Sequence, residues 1–314
     1  MLKGLKAWLD NQKKTREARK LARKNARRYK SRVIGSIRPQ SKPNKPSPVK
    51  PSKPTSVKPT TVASVVDSAV LKPHVREGTK SAVLIGLNYT GTAAALKGCI
   101  NDALRMRETL QKTYQYTNVS IFTDRDLSSQ NNILQVLEKL VTSNDKTLFF
   151  QYSGHGTQVR DDDSDEADGK DEALYSVNDT IVRDDDILSQ VQRIKKGTTM
   201  VIVIDACHSG TMIDLPYQLF GNNILRINEN KVEGDIISIS GCKDTQTSAD
   251  VSSGLTAYGA MSNALQKVLG ELSPSTTWRL LIEKLNTELR KDRHSQISQL
   301  CVSRPELVDQ IVSL

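Results

Sequence analysis

The sequence has few cysteines and lacks long apolar runs. Its four cysteines are widely spaced and form no CxxC pair, which argues against a disulfide framework and predicts free thiols in a reducing compartment. No segment near the N-terminus is apolar enough for a signal peptide or a membrane span. We therefore expect an intracellular, cytoplasmic protein, in which a nucleophilic cysteine is chemically available.

Apolar residues make up only 37% of the 314-residue chain, which is low for a wholly folded protein. Charge is also unevenly distributed. Residues 1–78 contain 21 Lys and Arg against 4 Asp and Glu, whereas residues 79–314 contain 24 against 31. The formal net charge of +10 therefore belongs to the N-terminal part, and the remainder is mildly acidic.

The N-terminal part reads as a basic extension rather than a domain. In residues 1–32 a basic sequence carries one apolar helical face, which suits contact with an anionic membrane or nucleic acid but equally a solvated, partly helical tail. Residues 38–60 contain seven of the eleven prolines and predict an extended linker. We predict that residues 1–78 are mostly disordered and that one domain covers 79–314.

From residue 79 onward, apolar strands alternate with amphipathic helices. Segments 147–154 and 198–206 are apolar on both faces, as strands of a parallel sheet covered by helices are. The pattern predicts an α/β sandwich with a mostly parallel central sheet and helices on both faces. The other predicted strands are 81–89, 119–124 and 235–242; the predicted helices are 96–113 (with apolar Ile100, Leu104 and Leu110), 132–142, 257–270 and 276–290.

Two of these strands end in reactive side chains flanked by glycine, in the segments SGHG and DACHSG. The carboxyl ends of parallel strands gather functional groups at one edge of a sheet, so we expect His155 and Cys207 to meet there. A free thiol is mostly protonated at neutral pH, and a neighbouring imidazole helps to form the reactive thiolate. His208 is a poorer base because adjacent side chains diverge. The amides of Gly156 and Cys207 are candidate donors to an oxyanion.

At these residues the chain resembles the metacaspases, within the wider caspase-like cysteine peptidases. The similarity extends from about Ser81 to Gly270. It implies a caspase-like sandwich with a larger catalytic part at about 79–217 and a smaller part at about 232–314. Five ordered segments carry it: GCIND (98–102), YSGHG (152–156), DEADGKDEAL (165–174), DACHSG (205–210) and ISGCKDTQTSAD (239–250).

The resemblance implies cleavage of peptides or proteins after Arg or Lys by a catalytic dyad of His155 and Cys207. Two carboxylates in a cleft suit a guanidinium or ammonium group, and Asp205, two residues before Cys207, lies on the same strand face. Taken alone, Asp205 could equally cap local backbone and Asp102 could be an exposed helix charge. The implied specificity pocket has four residues: Asp102, Asp205, Cys99 and Ser153.

The same resemblance implies a calcium ion held by four carboxylates outside the cleft: Asp171, Asp184, Asp185 and Asp214. Clustered oxygen ligands suit this ion. Lys170, which stands where the family often has an aromatic residue, and Arg183 directly precede two of these ligands and would lower calcium affinity. We therefore expect calcium to stimulate the enzyme without being strictly required.

Self-cleavage is a further implication, because family members often cut themselves after basic residues. The basic tail could also occupy its own acidic pocket as an inhibitor. Two alternatives stay open: a caspase-like peptidase with another side-chain preference, and an inactive caspase-like scaffold whose basic tail binds nucleic acid or membrane. We expect a monomer. The candidate self-cleavage positions are Lys72, Arg76, Lys80, Arg226 and Lys231.

Overall fold

The computed structural model describes residues 78–127, 132–160, 170–177, 180–206, 212–242, 251–253, 256–292, 294 and 296–314. The predicted basic tail, the proline-rich linker and Cys207 lie outside the described residues, as do Lys72 and Arg76.

An eight-stranded sheet forms the centre of the fold. Its strands are β1 (Lys80–Gly86), β2 (Asn118–Phe122), β3 (Thr147–Ser153), β7 (Thr199–Asp205), β8 (Tyr217–Phe220), β9 (Asn223–Arg226), β10 (Asp235–Cys242) and β13 (Ile297–Val302). The order across the sheet is β2-β1-β3-β7-β10-β13-β8-β9. β2, β1, β3, β7 and β10 pair in parallel, whereas β13, β8 and β9 pair antiparallel. The sheet is thus mostly parallel, as predicted.

Helices cover both faces of this sheet. They are α1 (Cys99–Lys112), α2 (Ile133–Val141), α3 (Asp184–Val191), α4 (Ala260–Gly270) and α5 (Trp278–Lys291), and a 3-10 helix covers Pro305–Asp309. Alternate strand residues enter two cores: Leu84 packs with α1, α4 and α5, whereas Ile85 packs with α2 and α3. Within the described ranges, none of the helices has both the length and the apolar character that a bilayer span needs.

Two details near the site differ from the prediction. The apolar face assigned to α1 is wrong at Leu104, which is 37% exposed, because the buried stripe runs through Cys99, Ala103, Met106 and Leu110. β1 ends at Gly86 and not at residue 89. A side chain on Gly86 would lie 2.3 Å from the carbonyl oxygen of Cys99, so glycine lets the start of α1 approach the end of the strand.

Two small antiparallel sheets flank the central one. β4 (Gly156–Arg160), β5 (Lys170–Tyr175) and β6 (Ile181–Arg183) form one of them, and β11 (Val251–Ser253) and β12 (Thr256–Tyr258) form the other. These short, largely polar strands were not predicted, because they show little hydrophobic alternation. The first sheet begins directly after His155, so it builds outward from the edge where the predicted catalytic residues lie.

Candidate active site

The site is built at the carboxyl ends of two neighbouring strands. β3 and β7 are adjacent and parallel, with Ser153 in register with Asp205. The amide of Gly154 donates to the carbonyl of Asp205 at 3.3 Å, which ties the turn after β3 to the end of β7. His155 follows Ser153 by two residues, and Cys207 follows Asp205 by two, a span of at most about 7 Å along the chain.

The imidazole of His155 is half-buried and held by a backbone carbonyl. Its Nε2 lies 2.7 Å from the carbonyl oxygen of Ala94, and its ring centroid lies 4.7 Å from that of Tyr89. A carbonyl oxygen can only accept a hydrogen bond, so the neutral ring carries its proton on Nε2. The Nδ1 lone pair is then the one able to take a proton from a thiol.

The backbone of His155 is fixed by tyrosines. Its N–H donates to the hydroxyl of Tyr89 at 3.0 Å, and its carbonyl accepts from the amide of Tyr175 at 3.0 Å. The hydroxyl of Tyr152 lies 2.8 Å from the same carbonyl. Burial raises the pKa values of Tyr89 and Tyr152, so both hydroxyls keep their protons. The sequence analysis missed these tyrosines, since nothing local connects Tyr89 with a histidine far along the chain.

Asp102 and Asp205 lie together beneath the start of α4. The Asp102 carboxylate accepts from the Ser153 hydroxyl at 3.1 Å and from the Gly259 amide at 3.0 Å. Asp205 accepts from the amide of Ser262 at 2.8 Å. A side-chain carbon added to Gly259 would lie 2.4 Å from Asp205 Oδ2 and 2.9 Å from Asp102 Oδ2, so the two oxygens are close. Three of the four residues of the predicted pocket thus meet.

This pair is an electrostatically costly arrangement. Asp102 is only 2% exposed, so the alternative of an exposed helix charge is wrong. Asp205 does cap a helix, but a distant one in sequence rather than local backbone. Burial, followed by the repulsion of Asp205, raises the pKa of Asp102 well above its usual range, and the positive charge of Arg105 offsets this only in part. An incoming cation would relieve that repulsion.

Cys99 and Cys301 are buried and are therefore poor nucleophiles. Cys99 lies on the buried face of α1, one turn before Asp102 and near the Tyr89–Tyr152 pair, and Cys301 lies within β13; both side chains are buried and neither forms a disulfide. Burial raises the pKa of Cys301 to about 12, so its thiolate is scarce at neutral pH.

The predicted calcium ligands lie at β5, the start of α3 and the chain after β7. Asp184 Oδ2 is buried and has no hydrogen-bond partner among the described residues, and burial together with Asp214 and Glu172 raises the pKa of Asp184 to about 10. Asp171 is instead paired with the Arg183 guanidinium at 2.7 Å. Over the described residues, no group of three or more His, Cys, Asp or Glu side chains is arranged to hold a metal.

Asp185 belongs to the first turn of α3, and its amide donates to Asp184 Oδ1 at 2.9 Å. Asp184 and Asp214 therefore fit a cation by charge and donor type. Asp171 does not fit as it stands, because Arg183 already neutralises it.

One predicted self-cleavage position is wrong. Lys80 is the first residue of β1 and is 4% exposed, and its ammonium donates to the carbonyls of Tyr114 and Leu314, each at 2.8 Å. β1 is paired on both sides, with β2 and with β3, so this buried segment cannot enter a cleft as an extended substrate. Arg226 and Lys231 are exposed and stay candidates.

Comparison with known proteins identifies the family. The sequence model "Metacaspase, peptidase C14 domain" matches residues 80–216. The chain is 33% identical to Metacaspase-1 of Scheffersomyces stipitis over 292 residues, covering 73% of this chain and 72% of that protein. For Metacaspase-1 of Pyricularia oryzae the identity is 33% over 290 residues, with the same coverage of each chain.

Among solved structures, a Geobacter sulfurreducens protein superposes with a TM-score of 0.56 at 22% identity, over 74% of this chain and 97% of that one, which concerns the fold alone. The predicted caspase-like α/β sandwich is confirmed. The protein belongs to the metacaspase family and is a cysteine-type peptidase that acts on peptide or protein substrates.

Proposed function

We propose that this peptidase cleaves after arginine or lysine and that His155 and Cys207 are its catalytic dyad. The observation that carries the proposal is the register of β3 and β7, because each predicted catalytic residue follows one of the paired positions Ser153 and Asp205 by two residues. Cys99 and Cys301 are buried, so neither of these two thiols is placed to compete as the nucleophile.

In the proposed reaction, His155 Nδ1 accepts the proton of the Cys207 thiol, and the thiolate attacks the carbonyl carbon of the scissile bond. The oxyanion that forms takes hydrogen bonds from backbone amides, with those of Gly156 and Cys207 as candidates. The imidazolium then protonates the leaving amine as the carbon–nitrogen bond breaks. Water hydrolyses the resulting thioester and restores the thiol. The hydrogen bond from Nε2 to Ala94 supports this role, since it leaves Nδ1 free to accept.

Preference for a basic side chain follows from the acidic pair. Among the residues that the structure describes, neutral groups of Ser153, Gly259 and Ser262 donate hydrogen bonds to Asp102 and Asp205. A substrate cation about 4 Å from a carboxylate gains on the order of 4 kcal/mol at an effective dielectric constant of 20, whereas a substrate aspartate is repelled by a similar amount. The buried position of the pair suits long side chains that reach the bottom of a pocket.

Calcium stimulation is part of the proposal, with Asp184 and Asp214 as the groups that would hold the ion. Calcium would offset the repulsion between these carboxylates, and it takes oxygen ligands of this kind. The ion pair between Arg183 and Asp171 supports stimulation rather than an absolute requirement, because one of the expected ligands already has a cation.

Self-processing is the final part, with Arg226 and Lys231 as described candidates and Lys72 and Arg76 outside the described residues. Arg226 closes the edge strand β9 and pairs with Glu229 at 2.5 Å on the surface. An exposed edge strand can be pulled into extended form more readily than a central one. Arg226 and Lys231 are therefore the positions at which nicking would separate the larger part from the smaller.

The test is hydrolysis of matched reporter peptides ending in Arg, Lys or Asp by native protein and by Cys207→Ala. We expect turnover of the Arg and Lys peptides that is lost in the variant. Faster cleavage of the Asp peptide would favour the alternative specificity. Equal rates for native protein and variant would contradict the nucleophile, and binding of nucleic acid or vesicles by residues 1–60 without any hydrolysis would favour the scaffold.

A further inference from the structure

His155 is supported from two sides by a single loop, which runs from the end of β1 to the start of α1. The Ala94 carbonyl receives Nε2 at 2.7 Å, and Tyr89 contributes both its ring and its hydroxyl. The imidazole is therefore placed by a segment that precedes it by more than sixty positions in the chain, and not only by its own turn.

Tyr89 contacts His155 in two distinct ways. Its ring lies against the imidazole with centroids 4.7 Å apart and planes inclined by 38°. Its hydroxyl oxygen accepts the backbone N–H of His155 at 3.0 Å and lies 2.5 Å from the carbonyl of Tyr175, to which it can donate. Tyr89 thus fixes both the position of the His155 backbone and the orientation of the imidazole ring.

The loop is built to hold Tyr89 in this position. The backbone of Tyr89 has a φ of +48°, a conformation that a bulky residue adopts only when its surroundings enforce it. Asp124 provides that enforcement. Its Oδ1 accepts from the amides of Asn88 at 2.8 Å and Tyr89 at 3.1 Å, and its Oδ2 accepts from the amide of Thr90 at 3.0 Å.

The space beneath the histidine turn is also filled by hydroxyls. The Tyr89 hydroxyl lies 2.9 Å from that of Tyr152. A side-chain carbon added to Gly154 would lie 2.6 Å from the Tyr152 hydroxyl and 2.9 Å from that of Tyr89, so the turn can settle onto both hydroxyls only with glycine at this position. The SGHG turn and the two tyrosines are therefore one packed unit.

We propose that Tyr89 is a positioning residue of the peptidase, which sets the height and tilt of the His155 imidazole through its hydroxyl and ring. The proposal rests on His155 serving as the base of the proposed function. Tyr89 does not touch the reacting atoms; it acts through His155. Without its hydroxyl, the N–H of His155 loses its acceptor, and the imidazole samples orientations in which it stabilises a thiolate less well.

The decisive variant is Tyr89→Phe, which removes the hydroxyl and keeps the ring. Tyr114→Phe is the matched control, because Tyr114 is fully buried and its hydroxyl has no hydrogen-bond partner within the described part of the chain. His155→Ala is the reference for complete loss of the base. Each protein is assayed for kcat and KM on an Arg peptide, and for the pH dependence of iodoacetamide alkylation of Cys207, followed by mass spectrometry.

For Tyr89→Phe we expect kcat about tenfold lower with KM changed less than about twofold. We also expect the midpoint of the alkylation profile to move upward by about half a pH unit, toward that of His155→Ala. Tyr114→Phe should match the native protein in kcat, in KM and in the alkylation midpoint. A merely structural role would lower the melting temperature but leave the alkylation midpoint in place.

The outcomes distinguish the positioning role of Tyr89 from the catalytic dyad of His155 and Cys207. If His155→Ala shifts the alkylation midpoint and Tyr89→Phe does not, the positioning role is wrong and the dyad stands. If His155→Ala shifts nothing, the dyad is wrong and the role of Tyr89 falls with it. If Tyr89→Phe fails to fold, Asp124→Asn replaces it. This variant weakens the acceptor of the loop amides that hold Tyr89, so the alkylation midpoint should shift in the same direction. An unshifted midpoint in folded Asp124→Asn would overturn the proposal.

Discussion

Gly259 lies between the start of α4 and the acidic pair of Asp102 and Asp205, and the space beside it is too small for a methyl group. Its backbone φ of −67° and ψ of 143° suit any residue, so Gly259→Ala introduces no backbone strain. The new carbon would lie 2.4 Å from Asp205 Oδ2 and 2.9 Å from Asp102 Oδ2. Because aspartate side chains are short and both are buried, either the carboxylates or the helix must move.

The expected size of the effect follows from overpacking. Forcing an extra carbon into a filled site costs about 1–3 kcal/mol, and in transition-state binding that corresponds to about 5- to 150-fold in kcat/KM. We expect a loss of at least about fivefold in kcat/KM on Arg peptides, mainly through KM, because the displaced groups contact the substrate cation rather than the reacting atoms. The melting temperature should fall by several degrees.

Gly270→Ala is the control on the same helix, since an added carbon there meets nothing within 4 Å. Removing a glycine from a helix should leave activity unchanged and stabilise by about 0.5–1 kcal/mol. The assay compares steady-state kinetics on Arg and Lys peptides well below either melting temperature. Native kcat/KM and an unchanged melting temperature in Gly259→Ala would refute the described packing of α4 on the carboxylates.

Four other expectations concern charge and processing. The folded-state pKa of Asp102 is raised in the free enzyme, so its carboxyl holds a proton to higher pH than in the unfolded chain until a substrate cation offsets the repulsion of Asp205, and native stability should fall as pH rises above about 4 toward that raised value. In calorimetry at pH 5 and 8, Asp102→Asn should show a smaller change of stability with pH, and at pH 8 its melting temperature should equal or exceed that of the native protein. Its hydrolysis of Arg peptides should fall by more than about tenfold. A larger change of stability with pH, or unchanged hydrolysis, would contradict the assignment. Calcium should raise both turnover and the melting temperature over excess chelator, and the thermal shift should grow in Arg183→Ala, where Asp171 is released; equal turnover in millimolar calcium and in chelator would reject stimulation. Cys207→Ala should stay intact on a gel while native protein is nicked, and identical bands would reject self-processing. If the tail inhibits its own active site, deletion of residues 1–78 should raise the initial activity. Unchanged rates would reject inhibition by the tail.

Much of the fold could be predicted from the sequence because its central strands are apolar on both faces. β3 and β7 each run from buried residues straight into the SGHG and DACHSG motifs, and the sequence predicted both strands and the edge they share. Their direct adjacency was not readable. It depends on strand order, which periodicity does not encode.

Long-range contacts account for what the sequence analysis missed. The apolar run of the sequence predicts a strand that extends to Tyr89, but β1 ends at Gly86 because α1 packs closely there. Nothing near Tyr89 in sequence signals its hydrogen bond to His155. Leu104 is one of the apolar residues that predict the helix, but the buried stripe of α1 passes one position away from it. The role of Gly259 likewise appears only once α4 is docked on Asp102 and Asp205.

The central claim is that one thiol, at position 207, attacks peptides whose basic side chain is held by the acidic pair. Its most direct test is labelling with a peptidyl chloromethyl ketone ending in arginine, followed by mass spectrometry of the digested protein. We predict a single stoichiometric adduct on Cys207, with loss of activity, and little labelling by the matching aspartate reagent. An adduct on another cysteine, or full activity after Cys207 has been labelled, would contradict the account.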